Sequence, residues 1–134
     1  MNELGMRLGP QIPNGALVTL AGDLGAGKTT LVRGILRGLG YQGDVTSPTY
    51  TLLETHEPVG RLVHHFDLYR MEDPQELENI GVRDLLDGVA IALVEWPDRG
   101  AGVLPPADIA IRIDFSGPGR MVTLPAGLLP GSGQ

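Results

Sequence analysis

Near the start of the chain, Gly22-Asp23-Leu24-Gly25-Ala26-Gly27-Lys28-Thr29 matches the pattern G-x-x-x-x-G-K-[ST]. These residue types suit the binding of a polyphosphate. Glycines let successive backbone N–H groups turn inward around an anion, and no side chain blocks the approach of a phosphate. A helix opening near Lys28 adds its unsatisfied N–H groups and the positive end of its dipole, so Leu24 to Thr30 form the expected phosphate cradle. Lys28 then reaches the β- and γ-phosphates as a compact ammonium, and the Thr29 hydroxyl is placed to ligate Mg2+. Lys28 is the only lysine among ten basic residues. A guanidinium fork is wider than an ammonium, which explains why arginine does not stand here as it does everywhere else in the chain. The bland alternative is a glycine-rich turn with an incidental lysine.

A phosphate loop needs an acid for its metal, normally at the end of an apolar strand. Glu95 ends the run VAIALV and Asp67 ends RLVHHF, so both carboxylates emerge where open α/β sheets bind their ligands. Either could instead be a strand-end acid that meets water. Thr46, Ser47 and Thr49 surround Pro48 in a hydroxyl-rich stretch that could sense a γ-phosphate. Read alone, that stretch is better taken as a turn entering a strand. His64 and His65 are neighbours on a strand, so they face opposite sides and cannot serve one metal. A structural role is expected for each. Trp96 could stack on a base or cover the sheet edge, and the structural role is again preferred.

The elements that must position these groups follow from apolar patterning. Residues 3–9 form a short helix ended by the Pro10 and Pro13 region. Ala16 to Ala21 is an unbroken apolar run between glycines, the pattern of a strand buried on both faces. Leu31, Val32, Ile35, Leu36 and Leu39 repeat at helical spacing over 29–39, with Gly40 as the stop. Thr49 to His56 and Arg61 to Asp67 read as an antiparallel hairpin. Asp73 caps a helix running to about Ile80, and a further helical turn is expected over 83–86. Val89 to Val94 is a central strand, while Ile109 to Phe115 and Met121 to Leu124 make a last pair. The fold expected is α/β: three layers, with a largely parallel central sheet and antiparallel edge strands.

The chain has 134 residues and no cysteine, which gives one domain over 1–124, a loose tail over 125–134, and no disulfide or thiolate chemistry. A net charge of −6 argues against a protein that grips nucleic-acid backbones, so direct binding of free nucleic acid is not expected. No apolar run reaches membrane-spanning length, and the start MNELGMRLG lacks a secretory leader. A cytoplasmic location is therefore expected, without a membrane partner.

GDLGAGKTT, TSPTY (46–50), HFDLYR (65–70) and VEWP (94–97), in that order, resemble the TsaE (YjeE) family of bacterial P-loop ATPases. The DPQELENIG and GVLPPAD stretches are similar to it as well. The resemblance spans about residues 15 to 124. It implies a protein required for threonylcarbamoyladenosine modification of tRNA, which hydrolyses ATP weakly alone and resets the TsaB–TsaD transferase pair between turnovers. By position, the resemblance assigns the phosphates to Leu24, Gly25, Ala26, Gly27, Lys28 and Thr29, and Mg2+ to Thr29 and Glu95. Thr46 is the switch-like hydroxyl, Asp67 a second acid near metal or water, and Gly119 with Arg120 a pair near the nucleotide. Family members usually carry a further segment ahead of the first helix, where this chain starts, so the base side of the site stays open. Two other classes remain: a small-molecule kinase, for which little chain is left to build an acceptor pocket and lid, and a nucleotide-dependent adaptor.

Overall fold

A computed structural model describes residues 1–23, 25–43, 52–57 and 60–125. Six strands form one sheet: β1 (Leu17–Gly22), β2 (Leu53–His56), β3 (Val63–Asp67), β4 (Ile91–Glu95), β5 (Ile109–Ser116) and β6 (Gly119–Thr123). Their order is β2-β3-β4-β1-β5-β6. The four inner strands run parallel, while β2 and β6 pair antiparallel at the two edges. β1 and β4 are apolar without alternation because both their faces are covered. Helices α1 (Asn2–Leu8) and α2 (Lys28–Gly38) lie over one face, packing Leu8, Leu31, Ile35 and Leu36 against Val18, Leu20, Leu93 and Ile111. Helices α3 (Gln75–Asn79) and α4 (Val82–Leu85) serve the other, where Leu77 and Val82 join Phe66, Leu68, Ala92 and Val94. This is the three-layer α/β architecture expected.

α1 and α2 touch backbone to backbone. A Cβ built on Gly34 would stand 2.3 Å from the Asn2 carbonyl, and one on Gly5 2.6 Å from that of Leu31. Glycine is what permits this spacing, and it seats α1 directly on the helix that carries Lys28 and Thr29.

Boundaries shift for identifiable reasons. The central strand starts at Ile91 rather than Val89, because the Val89 and Ala90 N–H groups both donate to Asp87 Oδ1, at 2.8 and 2.9 Å. The last strand starts at Gly119 rather than Met121: Ser116 pairs with Gly119, leaving Gly117-Pro118 as a two-residue turn. Gly117, at φ 55°, takes the first central position such a hairpin turn reserves for glycine. α2 ends as expected, with Gly40 at φ 102° and the Tyr41 N–H reaching back to the Leu36 carbonyl at 2.9 Å. Asp73 acts as the cap of α3: its Oδ1 accepts from the Gln75 N–H while Glu76 Oε2 accepts from the Asp73 N–H. The expected start of the hairpin at 49–51 lies outside the described residues, as does the tail beyond Pro125.

Candidate active site

Three carboxyl-terminal strand ends meet beside the start of α2. β1 runs out at Gly22 into the glycine-rich loop, β3 ends at Asp67 and β4 at Glu95. Gly25 (φ 81°) and Gly27 (φ 109°) hold left-handed backbone conformations that side chains oppose, so the loop can turn tightly into α2. Ala26 is buried and its N–H closes a turn onto the Asp23 carbonyl at 3.0 Å. Leu24 and Thr46 lie outside the described residues.

Lys28 folds back over its own loop. Its Nζ donates to the carbonyls of Gly22 (2.7 Å) and Asp23 (2.9 Å) and sits 4.3 Å from the centroid of the Trp96 ring. Burial lowers its proton affinity below that of an ordinary lysine, against the opposing pull of Glu95, Asp67 and Asp23. Thr29, one position further along α2, has its hydroxyl 3.3 and 3.4 Å from the two Glu95 carboxylate oxygens. Glu95 is buried, and its Oε2 lies 2.7 Å from Nε2 of the fully buried His65. Asp67 stands directly across from Glu95 in the β3–β4 register. Burial first, and then the neighbouring Glu95 charge, push the Asp67 carboxyl above its usual range.

Gly25, Gly27, Lys28, Thr29, Thr30 and the two acids line a cleft of about 280 Å³, closed on one side by Tyr69 and Trp96. Trp96 holds φ 58° and ψ 54°, a conformation that costs a bulky residue about 1–3 kcal/mol and is sustained by surrounding contacts. Its ring lies 5.0 Å from that of Tyr69.

The structure brings together Gly25, Gly27, Lys28, Thr29, Thr30, Asp67 and Glu95. Gly119 does not line the cleft. The link to the loop comes from its neighbour Arg120, which donates from Nε to the Ala26 carbonyl (3.2 Å) and from Nη2 to that of Gly25 (3.4 Å). Two residues expected to be structural belong to the site: Trp96 at its wall and His65 behind Glu95. The period of a strand already puts His65 on the face of Asp67, two positions on, and that signal was available in the sequence. His64, on the opposite face, bonds Thr55 at 2.9 Å and takes no part.

A hard divalent cation fits the donors present, since Thr29 and the two acids offer only oxygen. Among the described residues, no group of three or more His, Cys, Asp or Glu side chains forms an all-protein cage. Two carboxylates and a hydroxyl are donors of the kind Mg2+ takes, alongside phosphate oxygens and retained waters.

Comparison with known proteins decides the family. The model for the threonylcarbamoyl adenosine biosynthesis protein TsaE matches residues 1–122. The chain belongs to the TsaE family. The TsaE protein of Haemophilus influenzae is 53% identical over 81% of this chain and 68% of its own length. That of Treponema pallidum is 37% identical over 81% of this chain and 80% of its own. Both carry the name tRNA threonylcarbamoyladenosine biosynthesis protein TsaE. The crystal structure of YdiB from Bacillus subtilis superposes with a TM-score of 0.73 at 30% identity, covering 92% of this chain and 76% of that one. TsaE membership therefore places this chain in a family named for threonylcarbamoyladenosine biosynthesis on tRNA. Among the described residues no helix is long and apolar enough to cross a membrane.

Proposed function

We propose that this TsaE-family chain is a Mg2+-dependent P-loop ATPase that drives or resets the TsaB–TsaD transferase pair during threonylcarbamoyladenosine formation on tRNA. The observation that carries the reading is the convergence of Lys28, Thr29, Asp67 and Glu95 on one cleft at the strand ends. ATP takes its phosphates into the loop from Gly25 to Thr29, where Lys28 exchanges the Gly22 and Asp23 carbonyls for phosphate oxygens. Thr29 and Glu95 are the residues that would hold Mg2+, and the metal supplies neutralisation of charge on the β- and γ-phosphates. Asp67, whose proton affinity is raised, orients the attacking water and accepts from it. Phosphoryl transfer asks a protein chiefly for positioning and charge stabilisation, so this small set is sufficient in kind.

The domain that does this spans residues 1–124, and a net charge of −6 leaves tRNA contact to the partners. The test is nucleotide hydrolysis with and without TsaB–TsaD, comparing ATP with GTP. Phosphate release that the partners accelerate, and that Glu95→Ala abolishes, is expected. Phosphate transferred to a metabolite would indicate a kinase. Assembly supported by ATP alone, with tRNA modification unchanged when hydrolysis is blocked, would indicate an adaptor.

A further inference from the structure

The His65 imidazole is fully buried behind the cleft and lines none of it, yet its Nε2 lies 2.7 Å from Glu95 Oε2. Strand geometry makes this contact. His65 and Asp67 share one face of β3, and in register with them stand Leu93 and Glu95 on β4. Both Glu95 oxygens therefore stand 3.3 and 3.4 Å from the Thr29 hydroxyl, and Oε2 is at the same time held from behind, diagonally across the strands, by His65. A carboxylate accepts and an imidazole N–H donates, so this contact assigns the donor hydrogen to Nε2. The other ring nitrogen, Nδ1, is buried and has no hydrogen-bond partner among the described residues, so the contact to Glu95 is the one that orients the ring there.

We infer that His65 is a positioning residue that fixes the rotamer of Glu95, anchoring Oε2 from behind while both carboxylate oxygens face the Thr29 hydroxyl, so that the group meets the metal in a single orientation. The inference rests on the ATPase reading above. Carboxylates that ligate metals are themselves oriented by hydrogen bonds, and losing such a support typically costs about 10–100-fold in metal affinity. Without its imidazole partner, the Glu95 carboxylate would be free to rotate about its side-chain bonds, and the metal would have to order it on binding.

The test uses Mn2+ as the probe, titrated by electron paramagnetic resonance into the ADP-bound full chain. His65→Leu removes the donor and keeps apolar bulk, while His65→Gln returns an N–H. His65→Leu should bind Mn2+ about 10–100-fold more weakly than the parent, with ADP affinity in EDTA unchanged and His65→Gln recovering most of the loss. Parent-like Mn2+ binding by His65→Leu, or equal losses in both variants, would overturn the role. If His65→Leu does not fold, the ring tautomer read by nitrogen NMR in the parent decides: the Nε2–H form supports the assignment and the Nδ1–H form refutes it. A parent that binds no Mn2+–ADP overturns the ATPase reading itself, and this inference falls with it.

Discussion

The Lys28 ammonium packs on the Trp96 indole, 4.3 Å from its centroid, while donating to two carbonyls of the loop that precedes it. Lysine is thus anchored at the cleft by contacts within the chain, and under the ATPase reading phosphate binding would exchange those partners rather than order a loose side chain.

That anchorage defines the first prediction. Lys28→Arg keeps the charge, but its planar fork is too broad for a seat whose carbonyls stand 2.7 and 2.9 Å from a single nitrogen. ADP affinity should fall about tenfold or more, equivalent to about 1.4 kcal/mol or more, measured by titration calorimetry. Parent-like affinity would make the lone lysine an accident of composition.

Asp67→Asn separates stability from activity. The carboxyl is pushed up by burial and by Glu95, so the folded chain binds its proton more tightly than the unfolded chain does. Ionisation of Asp67 therefore costs stability as pH rises from 3.8 through the raised folded value, and that cost persists at neutral pH. The asparagine variant should melt at or above the parent temperature at pH 7 without nucleotide, yet lose at least about a hundredfold in ATP hydrolysis if Asp67 acts as base. A variant less stable than the parent would contradict the electrostatic account.

The buried histidines away from the cleft give a pH dependence of the opposite sign. Burial lowers the proton affinity of His64 and of His56, the latter helped by His65. The unfolded chain then takes up these protons first as pH falls, so stability is fully present above 6.5 and drains away toward the lowered folded values. Melting temperature should drop between about pH 7.5 and about pH 5.5, and the pair His56→Gln and His64→Gln should flatten that slope. An unchanged slope in the double variant would place the acid sensitivity elsewhere.

Gly34→Ala reverses a familiar rule. In an open helix interior the change stabilises by about 1 kcal/mol. Here the added methyl would lie 2.3 Å from the Asn2 carbonyl, so α1 must lift from α2. The expected loss is about 1–3 kcal/mol, seen as a melting temperature lower by roughly 3–10 °C. Stabilisation would mean the two helices have room to spare.

Most of the fold was legible because its inner strands and α2 are written in unbroken or helical apolar runs. That the loop and both acids meet at one cleft was legible because each sits where an apolar run ends. What escaped depends on contacts between distant segments. The Glu95–His65 bond joins residues thirty positions apart. It required knowing that β3 and β4 are neighbours in a given register, which periodicity within one strand does not say. The position of Trp96 over Lys28 rests on a left-handed backbone conformation that no propensity would assign to tryptophan. The edges of β4 and β6 moved because side-chain bonds at Asp87 and a two-residue turn at Gly117 decide where pairing starts.

The strand order also sets a timetable for synthesis. β1 carries the phosphate loop, yet its partners are β4 and β5, with Leu17 opposite Ala92 and Leu20 opposite Ile111. On a ribosome β1 has no strand partner until the chain has grown past residue 95, and it is flanked on both sides only once residues 109–113 follow. The glycine-rich loop is thus made long before the strands that flank it, and nascent chains that stall before β4 leave both edges of an apolar strand unpaired.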